Sequence, residues 1–168
     1  MKTPRLVSAL LLASTALLTA CNQGQNQASA EAGVRQWMDD FKHAFEAKDT
    51  KAVMALYSPD ILAYDVIAPL QYSGSDAYGK DFASYFAGFN GPLTLEYRDC
   101  HITTSGDLAI VSCLEKASGT LTNGQPSAVW LRATSGLRLV NGHWLDFHDH
   151  VSVPTDFQTG KALVDLQP

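Results

Sequence analysis

Positive charge is in short supply in this sequence. Its 168 residues carry 12 Lys and Arg against 17 Asp and Glu, and the basic side chains are scattered rather than striped, which argues against nucleic acid as a partner. There is no glycine-rich phosphate loop, no nucleophile elbow and no dinucleotide fingerprint, so no cofactor is expected. No internal repeat is present. Beyond the first 20 residues no hydrophobic stretch is long enough to cross a bilayer. Cysteine is scarce, at three residues, so each one is informative.

What is there begins with an address. "MKTPR" supplies two positive charges and "LVSALLLASTALL" an apolar stretch too short to span a bilayer as a stable helix, so residues 1–20 are expected to be a signal peptide that is removed. The "LTAC" that follows resembles the lipobox of bacterial lipoproteins, with Leu18, Ala20 and then Cys21. That resemblance implies a lipidated Cys21, a membrane partner through the anchor, and a place in the bacterial cell envelope on the periplasmic or extracellular face. Residues 21–32, "CNQGQNQASAEA", are polar and lack branched apolar side chains, which predicts a flexible tether. The remainder is the size of a single domain with a hydrophobic core.

Within it, Val34, Trp37, Met38, Phe41 and Phe45 recur at helical spacing between Glu31 and Ala47. A second short helix, "KAVMALY", is expected to be capped by Thr50 and stopped by Ser58-Pro59. "ILAYDVI" has the composition of a first strand, and Tyr78, Phe82, Tyr85, Phe86 and Phe89 mark a third helix. After Gly91-Pro92 come four strand-like runs, "LTLEYRDCHIT", "LAIVSCLEKASG", "AVWLRATSGLRLV" and "HWLDFHDHVSV". Helices first and a meander of strands last predict an α+β fold, with N-terminal helices packed on a curved antiparallel sheet.

In the last strand a period of two puts Trp144, Asp146, His148, His150 and Ser152 on one face, and Leu145, Phe147, Val151 and Val153 on the other. The preceding strand divides likewise, Trp130, Arg132, Thr134 and Arg138 against Leu131, Ala133, Leu137 and Leu139. A two-residue type I′ turn at Asn141-Gly142 would set Leu139 opposite Trp144. A three-residue loop with a glycine bulge sets Arg138 opposite Trp144 and Arg132 opposite His150. The second segregates polar from apolar on both strands and is the one expected, because an arginine buried among leucines costs several kcal/mol.

This yields a candidate ligand site of Trp130, Arg132, Trp144, Asp146, His148 and His150, suited to a small anionic or polar-headed molecule held by the arginine and the imidazoles. The alternative is that the aliphatic face is the core and these polar residues face solvent. His148 could instead serve as a general base. A metal is not expected, since same-face neighbours on a strand lie about 6.6 Å apart and His43, His101 and His143 have no ligand spacing. The aliphatic residues Leu131, Leu137, Leu139, Leu145, Phe147 and Val151 would form a surface for a second copy, making a homodimer the expected state.

Cys100 and Cys113 flank a hairpin signal at Gly106-Asp107. Counting outward from the pair Ser105 and Leu108 sets the cysteines opposite one another as a non-hydrogen-bonded pair, with Cα atoms about 4.5 Å apart, within disulfide reach.

The segments "AFEAKDTKAVMALYSPDILAYDV", "YSG", "RAT", "NGHW" and "HDHVSVPTDFQTGKA" together resemble the SnoaL-like branch of the nuclear transport factor 2-like superfamily, which includes ketosteroid isomerase. The resemblance implies a cone-shaped fold over residues 33–168 but not one function, since the superfamily holds isomerases, cyclases, hydratases and hub domains. It places Asp65 where the isomerase carries its carboxylate base. The isomerase's oxyanion-hole tyrosine corresponds to Phe41, which has no hydrogen to donate. The hub domains of calmodulin-dependent kinase, a weaker likeness, have an arginine and an HxH strand in a pocket for small carboxylates. Asp65 is therefore either a base or a strand-end carboxylate bonded to loop backbone. Two functions stay open: a membrane-tethered domain binding a small ligand, and a cofactor-independent isomerase or lyase using Asp65 or His148.

Lipidation is testable directly. Cys21→Ser should leave unprocessed precursor or release soluble protein, whereas unchanged detergent-phase partitioning of the variant would refute the anchor.

Overall fold

The computed structural model describes residues 8–168, with side chains from Gln25 onward. Residues 1–7 and the lipobox side chains, Cys21 included, lie outside that description. Helix α1, Ser8–Glu46, runs through residues 21–32, the stretch whose composition predicts a flexible tether. No helix among the described residues is long and apolar enough to cross a membrane. Asp49, rather than Thr50, caps α2 (Thr50–Met54) by accepting from the Ala52 N–H at 2.9 Å.

The order then runs β1 (Tyr57–Tyr64), β2 (Tyr72–Ser73), α3 (Ser75–Ala87), β3 (Phe89–Ser105), β4 (Leu108–Leu121), β5 (Pro126–Val140) and β6 (His143–Ser152). A short pair, β7 (Thr155–Asp156) and β8 (Lys161–Ala162), closes the chain. The main sheet is ordered β2-β1-β6-β5-β4-β3. β3 to β6 form the expected antiparallel meander, but β1 pairs with β6 in parallel. The sheet is thus mixed. No hairpin joins β1 to β6, so nothing local imposes the antiparallel sense.

Two clusters make the core between helices and sheet. Phe41, Phe45, Tyr57, Tyr78, Phe82 and Leu93 fill one end. Val34, Trp37 and Met38 of α1 press on Val111, Cys113, Leu137 and Trp144 at the other. At the β3–β4 turn, Gly106 has φ 61° and Ser105 pairs with Leu108. Cys100 and Cys113 are joined, their Cα atoms 4.2 Å apart, beside a bulge at which Asp99 takes φ 51°.

The β5–β6 turn decides which side chains enter the cone. Asn141 and Gly142 both have positive φ, 52° and 83°, and Val140 pairs with His143. This is the two-residue type I′ turn, not the three-residue loop. It sets Leu139 opposite Trp144 and Leu137 opposite Asp146. A bulge at Phe147 then shifts the register, so that Gly136 faces His148, Ser135 faces Asp149 and Arg132 faces Ser152. The turn's register leaves Arg132 and Arg138 on the outer face, and the bulge then turns His148 and His150 outward and brings Asp149 in.

The aliphatic residues expected at a dimer face do not share one. Leu131 and Val151 point into the cone and Leu137 is fully buried beneath α1, whereas Leu145 lies opposite Arg138 on the other side. The helices already cover the inward members, so these six residues do not form one continuous face.

Helix α1 crosses β6 where Gly33 meets the Trp144 indole. A Cβ at Gly33 would lie 2.7 Å from Trp144 Nε1. Gly33→Ala gains about 1 kcal/mol of helix propensity but costs about 1–3 kcal/mol in overpacking. A net loss of stability is expected in urea unfolding, and a stabilised variant would show that Trp144 moves freely.

Candidate functional site

A cavity of about 160 Å³ lies between α1, α3 and the concave face of the sheet. Trp37 and Phe41 of α1 and Phe82 of α3 give it apolar walls. Its polar groups are mostly phenols and acids, with one serine: Tyr57, Tyr78 and Tyr85, Asp65 and Asp81 at the β1 and α3 side, Glu115 from β4, Ser135 from β5, and Asp149 from β6.

Asp149 is the centre of this set. It is only 5% exposed, and its Oδ2 accepts hydrogen bonds from the Tyr57 hydroxyl at 3.1 Å and the Tyr78 hydroxyl at 3.0 Å. Both tyrosines are buried as well. The Tyr78 hydroxyl also lies 3.2 Å from Asp65 Oδ2, while Asp65 Oδ1 accepts from the Val66 N–H. A phenol has one proton to donate. The second contact of Tyr78 is therefore filled when one of the two carboxyls carries a proton, and the hydroxyl couples their titrations.

Burial supplies that proton. It raises Asp149 to about 6 although the two phenols pull the other way, and it raises Asp65 against the opposing Val66 N–H. Glu115 is pushed up to about 8 by burial and by the nearby Asp149. Both tyrosine hydroxyls are held well above their ordinary value, first by burial and then by Asp149. Behind this group, Asp146 is fully buried, its carboxyl raised by burial and by Asp149. Asp146 Oδ1 accepts the His148 N–H at 2.9 Å, and among the described residues no hydrogen bond reaches its Oδ2.

The residues expected to form the site lie elsewhere. Arg132 is exposed on the convex face, across from Ser152. Trp130 shares that face, with Arg98 and Lys116 over its ring at 5.4 and 4.9 Å and its indole N–H donating to Gln167 at 3.2 Å. His148 and His150 also turn outward, packing on Tyr64 with ring centroids 5.2 and 5.7 Å apart. The His148 Nδ1–H donates to the Leu62 carbonyl at 3.0 Å. Trp144 is inward but belongs to the core under α1. Arg132, His148 and His150 do share a face, and it is the wrong one for a cavity. The two-residue turn turns Arg132 outward by setting Leu139 opposite Trp144, and the Phe147 bulge turns the histidines outward by reversing the alternation of β6 after Asp146. Of the expected site only Asp65 lines the cavity, bonded to loop backbone and to Tyr78 at once. Among the described residues no group of three or more His, Cys, Asp and Glu could hold a metal ion.

Asp149 and Glu115 escaped the sequence reading, yet each left a signal. Asp149 interrupts the otherwise aliphatic alternation Leu145, Phe147, Val151. Glu115 interrupts Ala109, Val111, Cys113, Ala117 in the same way. A lone acid on an apolar strand face marks a buried titratable group.

With this geometry in place, the likeness to known proteins is informative. A family model described as a SnoaL-like domain matches residues 34–156. A crystal structure of a nuclear transport factor 2-like protein of unknown function from Pseudomonas putida KT2440 is 32% identical, with a TM-score of 0.76, covering 84% of this chain and 98% of that one. A ketosteroid isomerase-like protein from Erwinia carotovora shares the fold at 22% identity and a TM-score of 0.62, covering 72% and 93%. So does a nuclear transport factor 2-like superfamily protein from Salmonella enterica, at 15% identity and a TM-score of 0.69, covering 81% and 99%. No curated protein matches the chain.

The buried acids make stability depend on pH. Their raised values mean that the folded state holds protons more tightly than the unfolded chain. The stabilisation is complete below the ordinary carboxylate range and is lost as pH rises through the folded values, about 6 for Asp149 and about 8 for Glu115. The thermal midpoint should therefore fall between about pH 5 and about pH 8.5, and Glu115→Gln should flatten the upper part of the fall. A midpoint that climbs over this range would contradict the burial of these acids.

Proposed function

This chain belongs to the SnoaL-like domain family of the nuclear transport factor 2-like superfamily, and from that premise we propose that its cone binds a small, ring-sized molecule and moves a proton on it, as a cofactor-independent isomerase or lyase. The observation that carries the proposal is the Asp149 carboxyl, fixed by two tyrosine hydroxyls, facing an apolar-walled cavity and linked to Asp65 through Tyr78. The cavity, at about 160 Å³, is close to the engineered cavity of about 150 Å³ that admits benzene. One ring fits.

In this scheme Asp65 takes a proton from substrate carbon, leaving the electron pair on the substrate as an enolate, and the newly protonated Asp65 donates to the Tyr78 oxygen while Tyr78 donates to Asp149. Return of the proton to another atom of the substrate isomerises it. Departure of the proton with a hydroxide as water makes the same base a lyase. Tyr57 and Tyr78 stay protonated at any working pH and keep Asp149 in place. His148 has no part, because its ring is outside the cone and bonded to Leu62. An anionic ligand is disfavoured, because Arg132 does not reach the cavity and the polar groups that do are acids, phenols and the Ser135 hydroxyl. The Erwinia protein described as ketosteroid isomerase-like supports the reaction class by its fold.

The same proposal keeps the domain at a bacterial cell envelope, lipid-anchored through Cys21. The Cys100–Cys113 disulfide supports an oxidising compartment.

Deuterium exchange at the α-carbons of cyclohexanone in heavy water, followed by NMR, tests the reaction. The protein should accelerate exchange above buffer, and Asp65→Asn should lower the enzymatic rate by about 10²-fold or more while leaving the fold intact. Asp149→Asn should lower it too, because the amide still accepts from Tyr78 but removes the titratable carboxyl coupled to Asp65. Exchange at the buffer rate with ketone bound would remove the proton-transfer reading.

A further inference from the structure

The cavity has an imbalance that the proposed reaction does not use. Acids enter it from three directions: Asp65 after β1 and Asp81 on α3, Glu115 on β4, and Asp149 on β6. Among the described residues no Lys, Arg or His lines it. Glu115 takes part in no ion pair or side-chain hydrogen bond among those residues, although it sits on a strand whose neighbours on the same face are apolar. Asp149 receives both phenols on Oδ2, and among the described residues no hydrogen bond reaches its Oδ1. The residue is 5% exposed and lines the cavity. Asp149 is buried and Asp65, Asp81 and Glu115 are half-buried, and carboxyls gathered in a partly desolvated site with no protein counter-charge are costly when ionised.

The walls are independent of the acids and point the same way. Trp37, Phe41, Tyr57 and Phe82 line the space, and aromatic rings around a small cavity attract a cation through their quadrupoles. A charged ligand would also replace the missing counter-charge. We infer that the natural ligand is a small organic cation, an amine or quaternary ammonium on a single ring or short apolar body, seated among the aromatic rings with its charge toward Asp149 Oδ1 and Glu115. This rests on the proposed function only in placing the ligand in the cone.

Proton linkage follows from the same seat. Glu115 holds its proton to about pH 8 when the cavity is empty, and an arriving cation favours its ionised form, so binding near neutral pH releases protons. The other titratable groups facing this seat are Asp65, Asp81, Tyr57, Tyr78 and Tyr85, and none of them is basic. Asp146 stands behind Asp149 and, like it, is raised by burial. His148 acts on Asp149 from the far side of the sheet, lowering it, but does not enter the cavity. Below about pH 6, Asp149 and Glu115 are both neutral and the preference for a cation fades.

Benzylammonium, benzyl alcohol and benzoate have similar size and opposite or absent charge, which makes them suitable probes for calorimetry. At about pH 7.5 benzylammonium should bind at least about tenfold tighter than benzyl alcohol, and benzoate weakest of the three. At about pH 5 the tenfold advantage should shrink to about twofold or less. Titration in two buffers of different ionisation enthalpy should reveal proton release, and Glu115→Gln, verified folded by circular dichroism, should abolish it. Equal or tighter binding of benzyl alcohol at the higher pH overturns the inference. So does an advantage that survives unchanged at the lower pH, or failure of benzylammonium to bind at all. Cation preference without ketone exchange would sink the proposed reaction and leave this inference standing, and exchange without cation preference would do the reverse.

Discussion

A single hydrogen bond, from the His148 N–H to Asp146 Oδ1, holds the Phe147 bulge, and the chemistry of the interior depends on it. Before the bulge Trp144 and Asp146 face inward. Unbroken alternation would carry His148 and His150 into the cone and turn Asp149 out. With one residue inserted, Asp149 and Val151 enter and the histidines leave. Both neighbouring strands accommodate the change. Gly136 lies opposite, where even a Cβ would come within 3.3 Å of the Phe147 ring, and β1 shifts register against β6 between Tyr57 and Leu62. The side chain that holds the bulge is itself buried, with one oxygen that no hydrogen bond reaches among the described residues, and burial keeps it in the cheaper neutral form.

The acids of the interior form one electrostatic unit. Asp149 raises Glu115 and Asp146, and Asp65 raises Asp149, so ionising any one of them makes the next harder to ionise. Tyrosine hydroxyls are the donors that stabilise charge here, and they serve Asp149 before the others. Such a cavity is at rest when mostly protonated. A ligand that brings positive charge, or a reaction that needs a base with a value near neutrality, draws on the same stored unfavourable charge.

Short-range physics was legible in the chain. Helical spacing of Val34, Trp37, Phe41 and Phe45 produced α1 and its buried stripe, because burial of one face is a property of the helix and its nearest packing layer. Gly106-Asp107 produced a hairpin whose register brings Cys100 to Cys113, since a tight turn dictates pairing for several residues on either side. Even the two acids that matter most were visible as interruptions, Asp149 among Leu145, Phe147 and Val151, and Glu115 among Val111, Cys113 and Ala117.

What the sequence determined, then, was the order of helices and strands, the disulfide pair and the two faces of each strand up to the first bulge. Which face lines the cone was decided only in the tertiary structure. The bulge at Phe147 forms because a buried Asp146 can accept the freed N–H and because Gly136 and β1 leave room, three conditions met on three strands. The meeting of Tyr57, Tyr78, Asp65 and Asp149 is of the same kind, joining residues as far as 92 positions apart. Alternation in one strand carries no information about such contacts, because a single inserted residue reverses every side chain beyond it and costs little where the neighbouring strands can absorb it.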